Sequence, residues 1–352
     1  MSILFQVVKG KWKGIIDLNN LSLEQLAGQR LMVGFEGTAL SASLKDLIAR
    51  LYVGGVILFS RNIESPAQLK NLCFSIQEYA QSIGQPPLLI AIDQEGGAVA
   101  RLKPPFTVFS GNPAIGLAGE QAAIDFAETT AKELRRCGVN INFAPVMDVA
   151  PLVFDSVMKE RIFSCDPEVV AYLGCTIIQH LQKNGIAACA KHFPGIGRTT
   201  LDSHKDLPLL DKSRSELEGF ELLPFQAAVH AEVSSIMLSH VLYVALDREW
   251  PASISLSIAY DLLRCSLGFK GVVITDDLDM GAITGRFDID TAVRQALAAD
   301  VDIVLICHSR PKMEAAYKTI LSCIRNGLIY KDRFTPPIQR ILDLKSEYIV
   351  KA

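Results

Sequence analysis

The chain of 352 residues lacks any run approaching about 18 uninterrupted apolar residues, so no membrane-spanning helix is expected. Met1–Lys9 carries neither a basic n-region nor a long apolar run, so no secretory signal is expected and the reading is cytoplasmic. Its eight cysteines, at 73, 137, 165, 175, 189, 265, 307 and 323, contain no Cys-x-x-Cys and no dense cluster. They read as reduced thiols, mostly in a core, and not as a disulfide framework. Charge of one sign is also missing. With 35 basic and 38 acidic residues the net charge is −3, which gives no reason to expect nucleic acid or an anionic membrane as partner. His-Glu-x-x-His and Gly-x-Ser-x-Gly are absent, and Gly195-Ile196-Gly197 after Pro194 is only a fragment of a dinucleotide-binding fingerprint. Without repeats, low-complexity tracts or linkers, a second domain is not expected.

What the chain does have is alternation. Hydrophobic residues make up 49% and charged residues 21%, which suits a large core under a modest polar shell. Eight short apolar runs recur: Arg30–Glu36, Gly54–Phe59, Leu88–Ile92, Asn140–Val146, Ile186–Ala190, Ser235–Leu238, Gly271–Ile274 and Asp302–His308. Helices are predicted at about Ser41–Arg50, Pro66–Ile83, Gly119–Cys137, Pro167–Lys183, Ser215–Ala231, Ser257–Leu267 and Asp290–Ala299, with Pro311–Asn326 and Thr335–Tyr348 closing the chain. A short first helix near Ser22–Ala27 has Ser22 as cap and Gln25 three residues on. Strands this apolar suit water on neither face, which predicts a single-domain α/β fold, a parallel (β/α)8 TIM barrel. A doubly wound open sheet is the competitor. Residues 1–352 then divide into a leader (1–29), the barrel (about 30–310) and C-terminal helices (about 311–350).

Active sites of such barrels lie at the C-terminal ends of the strands. Those ends carry Asp93, Asp148, Lys191, His192, His240, Asp276 and His308. Two connections, Pro151–Asp166 and Phe193–Asp211, exceed ordinary loop length and read as binding or lid elements. The second holds Asp202 and His204. In an extended loop, side chains two apart share a side, so Asp202 is expected to accept a hydrogen bond from one ring nitrogen of His204 while the other carries a proton. That is the orienting half of a catalytic triad, suited to a general acid/base. The bland alternative is a pair of turn residues bonding locally. His192, His204 and His240 with Asp276 also leave a metallohydrolase open on spacing alone. The whole set suits displacement at an anomeric carbon, with Asp276 as nucleophile, although His in the acid role departs from the usual pair of carboxyls about 5 to 5.5 Å apart.

Lys191-His192-Phe193-Pro194-Gly195, Asp202-Ser203-His204, Asp93-Gln94-Glu95-Gly96-Gly97 upstream and Thr275-Asp276-Asp277-Leu278-x-Met280 downstream together resemble the β-N-acetylglucosaminidases of glycoside hydrolase family 3. They are most similar to the short bacterial enzymes of cell-wall recycling, over about residues 30 to 310. The resemblance implies a retaining exo-glycosidase acting on terminal β-N-acetylglucosamine of (anhydro)muropeptides. In it Asp276 is the nucleophile, His204 with Asp202 the acid/base, and Asp93, Arg101, Arg161, Lys191 and His192 hold the sugar. No metal or cofactor is expected; the partner is a small saccharide or muropeptide, with a monomer favoured. Related alternatives are a β-glucosidase or an N-acetylglucosaminide phosphorylase, and outside enzymes a non-catalytic muropeptide-binding barrel. Lys191 and Arg161 equally suit ion pairs closing the mouth, Asp93 a turn cap, Asp148 either structure or sugar binding, and Asp277 support of its strand end. The family usually has His where Ile196 stands and often Arg where Ala98 stands. The first departure is expected to touch the loop's hydrogen bonding and closure more than the chemistry.

Overall fold

The computed structural model describes residues 17–327 and 331–350. The leader expected over 1–29 lies outside the described residues as far as residue 16. From Asp17 a short 3-10 turn, Leu18–Asn20, leads to the helix Leu23–Gln29. Ser22 caps it as its sequence predicts: the hydroxyl accepts from the Gln25 amide at 3.2 Å and the Gln25 side chain accepts from the Ser22 amide at 3.0 Å. Two amides that a helix start leaves unpaired are thereby satisfied.

Eight parallel strands, Leu31–Val33, Gly55–Leu58, Leu89–Ile92, Ile141–Asn142, Ala187–Phe193, Ser235–Leu238, Val272–Asp277 and Ile303–Ile306, close into a barrel. Closure is made where Leu31 pairs Val304 and Val33 pairs Ile306. The open-sheet alternative is therefore set aside. Strands alternate their side chains between two dry compartments. Leu31 and Val33 join the cluster between sheet and helices, while Met32 joins Ile57, Leu89, Phe143, Met237 and Leu305 inside the barrel. That double burial explains runs with no polar alternation. The C-terminal helix Lys331–Lys345 and the turn after it supply Ile341, Leu344 and Tyr348 to the same interior cluster. They enter at the N-terminal ends of the strands, where Arg340 meets Asp300 and Asp302, and the Tyr348 hydroxyl meets Ser234 at 2.7 Å.

Three elements differ from the sequence pattern. The single helix expected over Ser215–Ala231 is two, Arg214–Gly219 and Leu222–His230. Pro224 is the cause: it is tolerated in the first turn of a new helix, whereas in a continuous one its ring would strike the carbonyl of Phe220. The fourth strand shrinks to Ile141–Asn142 because Pro145 has no amide for the ladder, which resumes as a single bridge between Val146 and Lys191. Ser257–Ser266 is wound as a π-helix.

Lys345 lies wholly buried at this closed end, its ammonium donating to the Gln29 side-chain carbonyl. Burial pulls its pKa from 10.5 to about 7. Between those values the unfolded chain holds the proton more tightly than the folded one, so stability rises with pH from about 7 towards 10.5 and the full cost of the charge is present below 7. Lys345→Met should stabilise the protein by roughly 2 to 4 kcal/mol at pH 6, less the hydrogen bond Gln29 loses. The gain should fade by pH 10, as urea unfolding at pH 6, 8 and 10 would show.

Candidate active site

A cavity of about 720 Å³ opens at the C-terminal ends of the strands, and all eight predicted site residues line it: Asp93, Arg101, Arg161, Lys191, His192, Asp202, His204 and Asp276. Asp277 and His308 also line it.

The floor is an ion-pair network. Asp93 follows the third strand and Lys191 is in the fifth, and the ammonium lies 2.8 Å from Asp93 Oδ1 and 2.6 Å from Glu95 Oε1. Arg161 reaches in from the long Pro151–Asp166 connection and forks onto Glu95 at 2.9 and 2.7 Å. Arg101 donates to Asp93 at 3.2 Å, and its buried Nε has no acceptor among the described residues. Burial alone would raise the Asp93 carboxyl, but Lys191 and Arg101 outweigh it and hold it at about 2. The same contest lowers Glu95, against burial, through Lys191 and Arg161. Lys191 is raised against burial by Asp93 and Glu95. These groups therefore stay charged and fixed, and preorganised charged donors and acceptors suit ligand hydroxyls. Lys191 and Arg161 are ion-paired, and both line the cavity.

Glu95 is the residue that the sequence reading passed over. It stands two after Asp93, the spacing that shares a side in extended chain, and it is 2% exposed at the centre of the cations. That spacing was the available signal.

His192 Nδ1 lies 2.7 Å from Asp148, and its Nε2 lies 3.3 Å from Arg161 Nη2. Because a guanidinium only donates, Nε2 accepts and the ring proton sits on Nδ1, given to Asp148. Asp148 also accepts from the Ile196 amide at 2.8 Å and is fully buried, so it orients His192 and the loop instead of lining the cavity. The hydrogen bonds around Ile196 are carried by its backbone, its carbonyl accepting from the Thr199 amide at 3.1 Å and hydroxyl at 2.8 Å. Its side chain lines the cavity.

The metal set left open by spacing is not brought together. His240 is 1% exposed, with Nε2 donating to the Asp277 carbonyl at 2.9 Å and Nδ1 bonded to Ser253 at 2.7 Å, so both ring nitrogens are committed within the protein. Among the described residues no three His, Cys, Asp or Glu side chains group as a metal site.

Asp276 is the penultimate residue of the seventh strand, and its carboxylate accepts from the Asp277 amide at 2.8 Å. Asp277 accepts from the Cys307 and Asp279 amides, each at 3.0 Å, which ties it to the next strand end. Burial pushes its carboxyl up to about 6. On the loop, His204 Nδ1 meets Asp202 Oδ1 at 2.7 Å, and the His204 amide donates to the same oxygen at 2.9 Å. The pairing is therefore made in a tight turn and not in the extended chain expected, with Nε2 free of that bond. The His204 side chain is 70% exposed.

The turn is fastened to the strand that carries Asp276. Gly281, just beyond that strand, donates to the His204 carbonyl at 3.2 Å, and Ala282 donates to the Ser203 carbonyl at 3.0 Å. A Cβ at Gly281 would lie 2.6 Å from the His204 carbonyl oxygen and 2.7 Å from that of Lys205. Gly281→Ala should thus displace the turn and lower kcat/KM by about 10- to 100-fold on a disaccharide, whose leaving oxygen needs a proton, with a smaller loss on activated glycosides; circular dichroism and thermal unfolding separate this from a loss of fold.

The Glycosyl hydrolase family 3 N terminal domain matches residues 22–344. A β-hexosaminidase of Alkalilimnicola ehrlichii is 39% identical over 288 residues, 79% of this chain and 80% of that protein. The structure of a family 3 β-N-acetylglucosaminidase from Paenibacillus sp. superposes with a TM-score of 0.90 at 38% identity, covering 94% of this chain and 64% of that one. A β-N-acetylhexosaminidase from Beutenbergia cavernae superposes with a TM-score of 0.87 at 28% identity, covering 93% and 99%. With that match across nearly all the described barrel, the chain belongs to glycoside hydrolase family 3, among its β-N-acetylhexosaminidases.

Proposed function

We propose that this hydrolase removes terminal non-reducing β-linked N-acetylglucosamine from peptidoglycan-derived anhydromuropeptides, with retention, in the cytoplasm. The observation that carries the mechanism is that Asp276 and the Asp202–His204 pair line one cavity, over a floor of fixed charges. Asp276 attacks the anomeric carbon while His204 Nε2 gives its proton to the leaving oxygen. Asp202 holds the ring through Nδ1 and stabilises its cationic form. Water then enters, His204 takes a proton from it, and the glycosyl–Asp276 bond breaks. Asp93, Arg101, Arg161, Lys191 and His192 bind the sugar hydroxyls and acetamide.

The test is hydrolysis of 4-nitrophenyl β-N-acetylglucosaminide against the matching β-glucoside, with and without phosphate and EDTA, and with product stereochemistry followed by NMR. Cleavage confined to the N-acetyl sugar, β-configured product, and indifference to phosphate and chelator are expected. Preference for the glucoside, or glycosyl phosphate as product, would replace the reading with one of its relatives. Release of N-acetylglucosamine from a purified anhydromuropeptide tests the natural substrate.

A further inference from the structure

The sugar-binding groups proposed above belong to the third and fifth strand ends and to the Pro151–Asp166 connection. Another part of the cavity wall uses none of them. In the closed barrel the eighth strand, Ile303–Ile306, lies beside the seventh, which carries Asp276. Between these two the ladder slips: Ile274 pairs Ile303 but Asp277 pairs Leu305, so the seventh strand holds one extra residue there. Such a bulge re-aims side chains. A regular strand would turn Asp276 and Asp277 to opposite faces, yet both line the cavity.

The two oxygens of Asp277 are used differently. Oδ1 accepts from the Asp279 and Cys307 amides, whereas Oδ2 takes no N–H or O–H hydrogen bond from the described residues. His308 Nε2 stands 3.7 Å from Oδ2, too far for a hydrogen bond. The main chain at His308 is fixed, its amide and that of Ser309 both donating to Asp279 at 2.8 Å. Its ring rests against Phe59, which follows the second strand, with centroids 5.4 Å apart. Phe59 in turn lies under the Arg61 and Arg101 guanidinium groups, 4.5 and 5.5 Å from its centroid. Lys312 pairs with Asp279 at 2.9 Å, and Cys307 beside Asp277 is a neutral thiol, pushed up by burial and by that carboxyl. The imidazole is thus held in place while neither of its nitrogens is hydrogen-bonded among the described residues.

Resting on the assignment of Asp276 above, we infer that Asp277 Oδ2 and His308 Nε2 form a cradle for one hydroxyl of the sugar that bonds Asp276. A hydroxyl is donor and acceptor in one group. It gives its proton to Oδ2 and accepts from Nε2–H, filling a gap that the two side chains do not close themselves. The pair therefore makes the site selective for that hydroxyl. An analogue lacking it leaves a largely buried carboxylate oxygen and a ring N–H facing each other unbridged, and unpaired polar groups of that kind are what reject a deoxy substrate.

The experiment compares 4-nitrophenyl β-N-acetylglucosaminide with its 3-, 4- and 6-deoxy analogues in wild type, His308→Phe and His308→Gln. Phenylalanine keeps the contact with Phe59 and removes the ring nitrogens; glutamine restores a donor. His308→Phe should lower kcat/KM on the parent sugar by about tenfold, and on one deoxy analogue by less than about twofold, because that analogue has already lost the same bond. His308→Gln should recover a good part of the parent rate. Equal loss on the parent and all the analogues, or no loss on the parent, would overturn the cradle and leave the roles of Asp276 and His204 standing. Wild type inert on the parent sugar would overturn the glycosidase reading and this inference with it.

Discussion

Asp276→Ala should lower hydrolysis of 4-nitrophenyl β-N-acetylglucosaminide by a factor on the order of 10⁴ or more, because it deletes the atom that forms the glycosyl–enzyme bond. Stability should hardly change. The carboxylate's one hydrogen bond among the described residues is from the adjacent Asp277 amide, worth about 1 kcal/mol. The loss can therefore be read as chemistry if circular dichroism and thermal unfolding match wild type. A 2-fluoro glycoside with an activated leaving group supplies the complementary result: wild type should gain the mass of one fluorosugar on a peptide containing Asp276, and the variant none. Unlabelled, fully active wild type would point instead to the substrate's acetamide as nucleophile.

His204→Ala is the second large effect, and its size should depend on the substrate. A leaving sugar alkoxide needs the proton, whereas 4-nitrophenolate needs little help, so cleavage of a disaccharide should fall by about 10² to 10⁴ while the first step with nitrophenyl substrate falls far less. The side chain is mostly exposed and, among the described residues, bonded only to Asp202, so folding should survive. Asp202→Asn should give an intermediate loss, since the turn can persist while the ring loses the carboxylate that stabilises its cation. Equal losses on both leaving groups for His204→Ala would remove it from the acid role.

The barrel was legible because both faces of its strands are dry, so Val56, Ile90, Ile236 and Val304 sit in unbroken apolar runs. The closed parallel topology then gathers Asp93, Lys191, His192 and Asp276 at one end whatever their separation in the chain. Arg161 came only through family likeness, since a residue midway along a long connection has no periodicity to place it. Glu95 was overlooked because a carboxylate two past a strand end reads as solvated until its cations are known, and those come from two distant segments. His240 stands at a strand end like His192, yet turns to Ser253 and the Asp277 carbonyl. Sequence gives the position of a side chain along a strand more readily than its hydrogen-bond partners.

Ile341, Leu344 and Tyr348 complete the inner cluster that begins with Met32. During synthesis all eight strands are made before these residues leave the ribosome, so the end of the barrel opposite the cavity is sealed only by residues that follow the eighth strand. A ribosome paused after the eighth strand would hold a barrel with its cavity end complete and the opposite end unplugged.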